Sequence, residues 1–110
     1  MDLTLIRSFL AVAEYGAITQ AAQALRLTQP TLSRRIQQLE EGLGTPLLVR
    51  SRKGISLTEM GRLVVQDGRA LVERWERMRN NIRAHEQLEA GLVRVGGGAT
   101  AVSFLLPEAI

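Results

Sequence analysis

Thr28, Gln29, Pro30, Thr31, Ser33, Arg34, Arg35 and Gln38 crowd hydroxyl, amide and guanidinium groups into one short run of the chain. Such groups hydrogen-bond flat, patterned edges and phosphate oxygens, as a major groove presents them. A second set, Arg50, Arg52 and Lys53, is purely cationic and suits phosphate. The residues that covalent or metal chemistry needs are scarce: the chain has no cysteine and a single histidine, His85. That excludes a disulfide scaffold, a thiol nucleophile and a Cys-rich zinc site. It also leaves no pair of histidines for a metal and no triad with a spare base. The chemistry on offer is binding, with no cofactor, no metal and no catalytic residue.

Charge points the same way. The 110 residues carry a formal net charge of +3, and the excess is local. Residues 1–57 hold seven Lys/Arg against four Asp/Glu, whereas residues 58–89 hold six of each. A basic excess confined to one region is the footprint of a polyanion site. Hydrophobic residues at 45% and charged residues at 23% describe an ordinary globular chain, long enough for one small domain plus an arm. The start lacks the basic and apolar regions of a signal peptide. The longest uncharged stretch, Val95 to Pro107, is too short and Gly-rich to span a bilayer. A cytoplasmic protein without membrane contact is expected.

The elements that must position these groups follow from periodicity and caps. Leu3, Ile6, Phe9, Leu10 and Ala13 form one stripe of a helix from Leu3 to Glu14, which Gly16 breaks. Ile18, Ala21, Ala22 and Leu25 share a face of a second, short helix. Arg26-Leu27-Thr28 is a tight turn. Thr28 is a competent N-cap and Pro30 falls in the first turn, where a missing N–H costs nothing. The third helix then carries Leu32, Ile36, Leu39 and Leu43 as its buried stripe and ends at Gly44. Pro46 to Arg50 and Ile55 to Leu57 read as two strands around a basic turn, Ser51 to Gly54. A long helix begins at Thr58, where Ser56 and Thr58 compete for the N-cap.

With Leu32 set at zero on a helical wheel, Ile36, Leu39 and Leu43 fall within about 40° of it. Pro30, Arg34, Gln37 and Glu41 face nearly opposite, with Thr31 and Gln38 on one flank and Ser33 on the other. Arg35 lies nearer the buried edge. The outward face of the N-terminal half is therefore hydroxyl, amide and guanidinium. Two helices joined by a three-residue turn form a helix-turn-helix, and the hairpin makes it winged. The fold expected is mainly α: three helices plus a β-hairpin wing, then a long helix.

At this point a resemblance becomes specific. Residues 1–89 resemble the N-terminal DNA-binding domain and linker helix of LysR-type transcriptional regulators. Ala17-Ile18-Thr19-Gln20-Ala21-Ala22 is similar to the family's Ser-Phe-Thr-x-Ala-Ala, and Thr28 to Arg34 to its Ser-Gln-Pro-Ala-Val-Ser-Arg. Leu39-Glu40-Glu41-Gly42-Leu43-Gly44, with Pro46-Leu47-Leu48 and Arg50, resembles Leu-Glu-x-x-Leu-Gly-x-x-Leu-Phe-x-Arg. Leu57-Thr58-Glu59-Met60-Gly61 resembles Leu-Thr-x-Ala-Gly. Ala17 departs from the usual Ser, which leaves the N-cap of the second helix open, and Leu48 replaces the common Phe. The resemblance implies that Gln29, Pro30, Thr31, Ser33 and Arg34 read bases and backbone of double-stranded DNA. It implies that Arg50, Arg52 and Lys53 are wing contacts. Thr28, Arg35 and Gln38 complete the expected DNA-binding set.

Val64, Gly68, Leu71, Trp75, Met78, Ile82 and His85 alternate spacings of four and three along the long helix, the period of a helix that pairs with a copy of itself. From Thr58 to Glu89 it would be about 48 Å long, too long to be covered by the preceding domain. The resemblance makes residues 58–89 the dimerisation helix. Met60, Leu63 and Val64 are expected to pack on the domain, and Leu71, Trp75, Met78 and Ile82 to pair between subunits. Residues 90–110 read as a hinge and the opening of an effector-binding domain. Gly91 ends the helix, Leu92 to Val95 is a strand candidate, and the resemblance implies that Ala99 and Thr100 lie by the effector pocket. A small-molecule effector would act only through the remainder of that domain, and the full-length parent could assemble beyond a homodimer.

Two rivals belong to other classes. A basic face could serve a protein–protein interaction module. Gly96-Gly97-Gly98-Ala99-Thr100-Ala101 fits G-x-G-x-x-[G/A], which would open a nucleotide-binding enzyme. That fingerprint needs a βαβ unit and an acid about 20 residues on, and the sequence holds neither. The reading adopted is a sequence-specific DNA-binding regulator that binds an interrupted inverted repeat as a homodimer.

Overall fold

The computed structural model describes residues 3–95, with side chains as far as Glu89. The elements are α1 (Thr4–Tyr15), α2 (Ile18–Leu25), α3 (Gln29–Leu43), β1 (Leu48–Ser51), β2 (Gly54–Leu57) and α4 (Glu59–Val95). The chain divides after Val72 into two units. The first holds α1 to α3, the hairpin and the start of α4. The second, from Glu73, is helical up to Val95.

The core of the first unit gathers Phe9 and Val12 from α1, Ala21 and Ala22 from α2, Leu32, Ile36 and Leu39 from α3, and Leu47. The two alanines give the helices a short distance of approach. Burying side chains such as Phe9, Leu32 or Leu47 contributes roughly 1.5–3 kcal/mol each. Val12 enters this core, while Ile6 and Leu10 of the expected stripe are half-buried and turn toward Gly68 of α4. Helix α1 thus serves two neighbours. Leu43, expected in the buried stripe of α3, is 53% exposed. The chain turns at Gly44, and Leu47 supplies the next core side chain instead.

Local signals account for the helix ends. No side chain caps α2 at Ala17. Arg26 closes α2 in the left-handed region (φ 58°), the only non-glycine there among the described residues. Its N–H donates to the Gln23 carbonyl at 3.1 Å, and the Leu27 N–H to the Ala22 carbonyl at 2.9 Å. The Thr31 N–H donates to Thr28 Oγ1 at 3.3 Å, so Thr28 caps α3 with Pro30 in its first turn.

The hairpin is antiparallel, with Leu48 opposite Leu57, Val49 opposite Ser56, Arg50 opposite Ile55 and Ser51 opposite Gly54. Arg52 and Lys53 form its tip. Strand β1 begins two residues later than the expected Pro46. Leu47 has other partners: its N–H donates to Glu40 Oε2 at 2.7 Å, and its carbonyl accepts from the Thr58 N–H at 3.0 Å. Thr58, not Ser56, caps α4. Its Oγ1 accepts from the Gly61 N–H at 2.9 Å and donates to the Pro46 carbonyl at 2.8 Å.

Helix α4 corrects several expectations. Its seat on the domain uses Gly61 and Gly68, both buried, with Val64 and Val65 packed against the core. Met60 and Leu63, expected there, are 40% and 49% exposed. Val64 packs on the domain as expected, whereas Gly68, which the spacing put in the same stripe as the pairing residues, also belongs to the domain contact. The helix also passes through Gly91 and is described as far as Val95, so Leu92 to Val95 is helical and not a strand. A glycine inside a helix costs only about 1 kcal/mol, whereas a lone strand leaves its ladder groups without partners. The Gly-rich loop from Gly96, with Ala99 and Thr100, lies outside the described residues.

Gly61 and Gly68 give a test of this seat. A Cβ on Gly61 would overlap the Leu47 backbone carbonyl, which cannot swing aside. A Cβ on Gly68 would lie 3.0 Å from Ile6 Cγ2, a branch methyl that needs to give by only a few tenths of an ångström. Alanine in place of glycine gains about 1 kcal/mol of helix propensity at either site. Gly68→Ala should therefore be close to neutral in urea unfolding. Gly61→Ala should lose about 1–3 kcal/mol as backbone shifts to relieve the overlap. Equal midpoints for the two variants would contradict this packing of α4.

Candidate nucleic-acid interface

Helix α3 is buried along Leu32, Ile36 and Leu39, which turns the opposite side outward. Gln29, Pro30, Arg34, Gln37, Gln38 and Glu41 are exposed, and Thr31, Ser33 and Arg35 are half-buried. The groups singled out from the sequence thus share one end of one helix. Their chemistry is neutral except for the arginines, and planar amide and guanidinium groups can each engage two atoms of a base edge.

Two acids could have spoiled this face. Glu41 is exposed near the C-terminal end of α3. Glu40 is turned into the domain, where Oε2 accepts from the Leu47 N–H at 2.7 Å and the Leu48 N–H at 3.3 Å. The carboxylate is thereby used to hold the first residues of the wing. The sequence alone does not assign Glu40 this role.

Thr28 is exposed, but its hydroxyl is committed. It accepts from the Thr31 N–H and donates to Thr31 Oγ1 at 2.8 Å. Arg35 is drawn sideways, its Nη1 donating to Ser8 Oγ at 3.3 Å. Ser8 was not among the expected site residues.

The hairpin supplies the cations. Arg50, Arg52 and Lys53 are all exposed. The register separates them: Arg50 pairs with Ile55 and shares its face of the ribbon, while Arg52 and Lys53 occupy the free tip. Ser51 Oγ donates to the Gly54 carbonyl at 3.4 Å across that turn. An exposed basic tip suits the sequence-independent attraction of phosphate.

On α4, Leu71, Met78 and Ile82 are 50%, 45% and 49% exposed, and Trp75 and His85 are half-buried. Among the described residues no group of three His, Cys, Asp or Glu side chains could hold a metal ion, and no helix is long and apolar enough to cross a membrane.

Comparison with known proteins agrees with this arrangement. The family described as bacterial regulatory helix-turn-helix protein, lysR family, matches residues 3–62. The SDS degradation transcriptional activation protein of a Pseudomonas species is 41% identical over 109 residues, 99% of this chain and 36% of that protein. The chain thus spans about a third of the length of such relatives. Among solved structures, the CbnR DNA-binding domain in complex with DNA is 39% identical with a TM-score of 0.73, covering 76% of this chain and 97% of that one. The BenM DNA-binding domain on catB site 1 DNA is 37% identical with a TM-score of 0.73, covering 76% and 94%. With the family signature, the winged helix-turn-helix and its long following helix all present, the chain belongs to the LysR family of bacterial helix-turn-helix regulators.

Proposed function

We propose that this chain binds double-stranded DNA in a sequence-specific way and regulates transcription in the cytoplasm, as a homodimer on an interrupted inverted repeat. The observation that carries the reading is the exposed polar end of α3 combined with a wing tip made of Arg52 and Lys53. Domains similar over nearly their whole length have been solved on DNA, which supports the same use here. Gln29, Pro30, Thr31, Ser33, Arg34 and Gln38 line the reading face, with Arg34 the foremost base reader. Thr28 holds the start of the helix, and Arg50, Arg52 and Lys53 anchor on phosphate. Residues 1–57 are the binding unit, 58–89 the dimerisation part of the long helix, and the stretch from 90 to 110 leads through a hinge into the start of an effector-binding domain. The unit carries no reaction of its own.

Dimerisation is supported by the large apolar side chains that α4 leaves to solvent. Leu71, Met78 and Ile82, with Trp75 between them, form a run that a second copy would cover. A symmetric pair places two reading helices on two half-sites, so that the palindrome mirrors the protein.

Two measurements separate the roles. Arg34→Ala should cost roughly 1–3 kcal/mol on the preferred duplex and relax preference at one base pair. Arg52→Ala should weaken all duplexes alike and flatten the slope of log affinity against log salt by about one. Identical sequence profiles for the two variants would contradict the division into reader and anchor. Binding to an acidic protein with no salt-dependent affinity for duplex would instead favour a protein-interaction module. Assembly is read by sedimentation: Trp75→Ala or Ile82→Asp should shift the chain toward monomer. The same variants should weaken binding to the inverted repeat far more than to a single half-site. Variants that stay dimeric would place the interface elsewhere.

A further inference from the structure

Ser8 is the one polar side chain buried among the described residues, at 1% exposed. It lies on α1, in a helix whose other buried positions are apolar. Its hydroxyl donates to the Thr4 carbonyl one turn earlier, at 2.8 Å. That bond alone satisfies the donor, as serines inside helices commonly do. The oxygen nevertheless accepts a second group, Arg35 Nη1, at 3.3 Å. The contact joins α1 to the flank of the reading helix across 27 positions of sequence.

Arg35 is half-buried at the flank of α3. A guanidinium carries five N–H donors in a rigid plane, and Ser8 engages one nitrogen. A plane held at one corner loses less freedom when its other donors meet an oxyanion. Arg35 follows Arg34 in the chain but lies about 100° around the helix from it, toward the edge of the reading face.

We propose that Ser8 is a positioning residue that holds the Arg35 guanidinium ready for a phosphate oxygen at the edge of the α3 face. Buried Ser8 itself never meets the duplex, yet α1 gains a part in DNA binding. The inference rests on α3 being a DNA reader, and the experiment keeps the two claims apart.

Affinity and its salt dependence are measured on one selected duplex, for the 110-residue chain and its variants, with thermal melting to monitor folding. Arg35→Ala should weaken binding about tenfold and flatten the salt slope by about one. Ser8→Ala should weaken it about threefold with the slope unchanged, because the charge remains and only its placement is lost. In the Arg35→Ala background, Ser8→Ala should add nothing. Arg35→Lys should track Ser8→Ala, since it keeps the charge without the fork. Parental affinity in Ser8→Ala, or an additive loss in the double variant, overturns the proposal. If Ser8→Ala fails to fold, Arg35→Lys carries the test, and parental affinity there overturns it. A loss in Arg34→Ala with none in Ser8→Ala removes the positioning role alone. No loss in Arg34→Ala or Arg35→Ala removes the DNA reading, and this inference with it.

Discussion

The backbone of Leu47 joins three parts of the first unit. Its side chain is fully buried among residues from α1, α2 and α3. Its N–H is taken by the Glu40 carboxylate, which reaches it from the last turns of α3. Its carbonyl accepts from Thr58 at the entry to α4 and lies against Gly61 one turn on. Hydrogen bonds to a charged acceptor are worth about 1.5–3 kcal/mol each, more than an ordinary neutral pair. The chain at Leu47 is therefore fixed by groups from two helices, independently of the ladder bonds of the hairpin. This matters because a two-stranded ribbon is marginal alone. The wing is an outgrowth of the helical core, tied at its base by Glu40 and Thr58.

From this tie follows the separation of duties along the sequence. Groups that hold the fold, Glu40, Thr58 and Thr28, have their polar atoms engaged. Groups proposed for recognition are left to solvent: Arg34, Gln29 and Gln38 on α3, Arg52 and Lys53 at the tip. The single exposed acid of the last turns of α3, Glu41, is far from the start of the reading helix. A positive surface needs few cations if the nearest carboxylate is occupied elsewhere, and a formal charge of only +3 is then no obstacle.

Most of the helical frame was legible because its signals are local. Thr28 with Pro30, the turn at Arg26, and the spacing of Leu32, Ile36 and Leu39 each involve residues within a turn or two. The hairpin tip was legible from Gly54 and its basic neighbours. What the pattern did not resolve depends on who packs against whom. Val64, Gly68 and Leu71 lie in one unbroken 3.5-residue stripe, but the domain takes the first two and leaves the third exposed. A glycine shows in a sequence as a missing side chain, whereas Gly61 and Gly68 are where backbone and side chains come closest. Leu43 satisfied the period and still lies outside, because the helix ends beside it. Ser8 and Glu40 found partners that are 27 and seven residues away, and no local rule reports such pairs.

The central claim is that the polar end of α3 and the tip of the wing, tied at Leu47, meet DNA as one surface. Titration of the isotopically labelled chain with its selected duplex, followed through backbone amide signals, addresses this directly. The account predicts that amides of residues 29–38 and 50–54 shift together, along curves with one midpoint, while those of residues 12–15 at the far end of α1 stay in place. Shifts confined to one of the two segments, different midpoints for the two, or a perturbed surface centred on another face would contradict it.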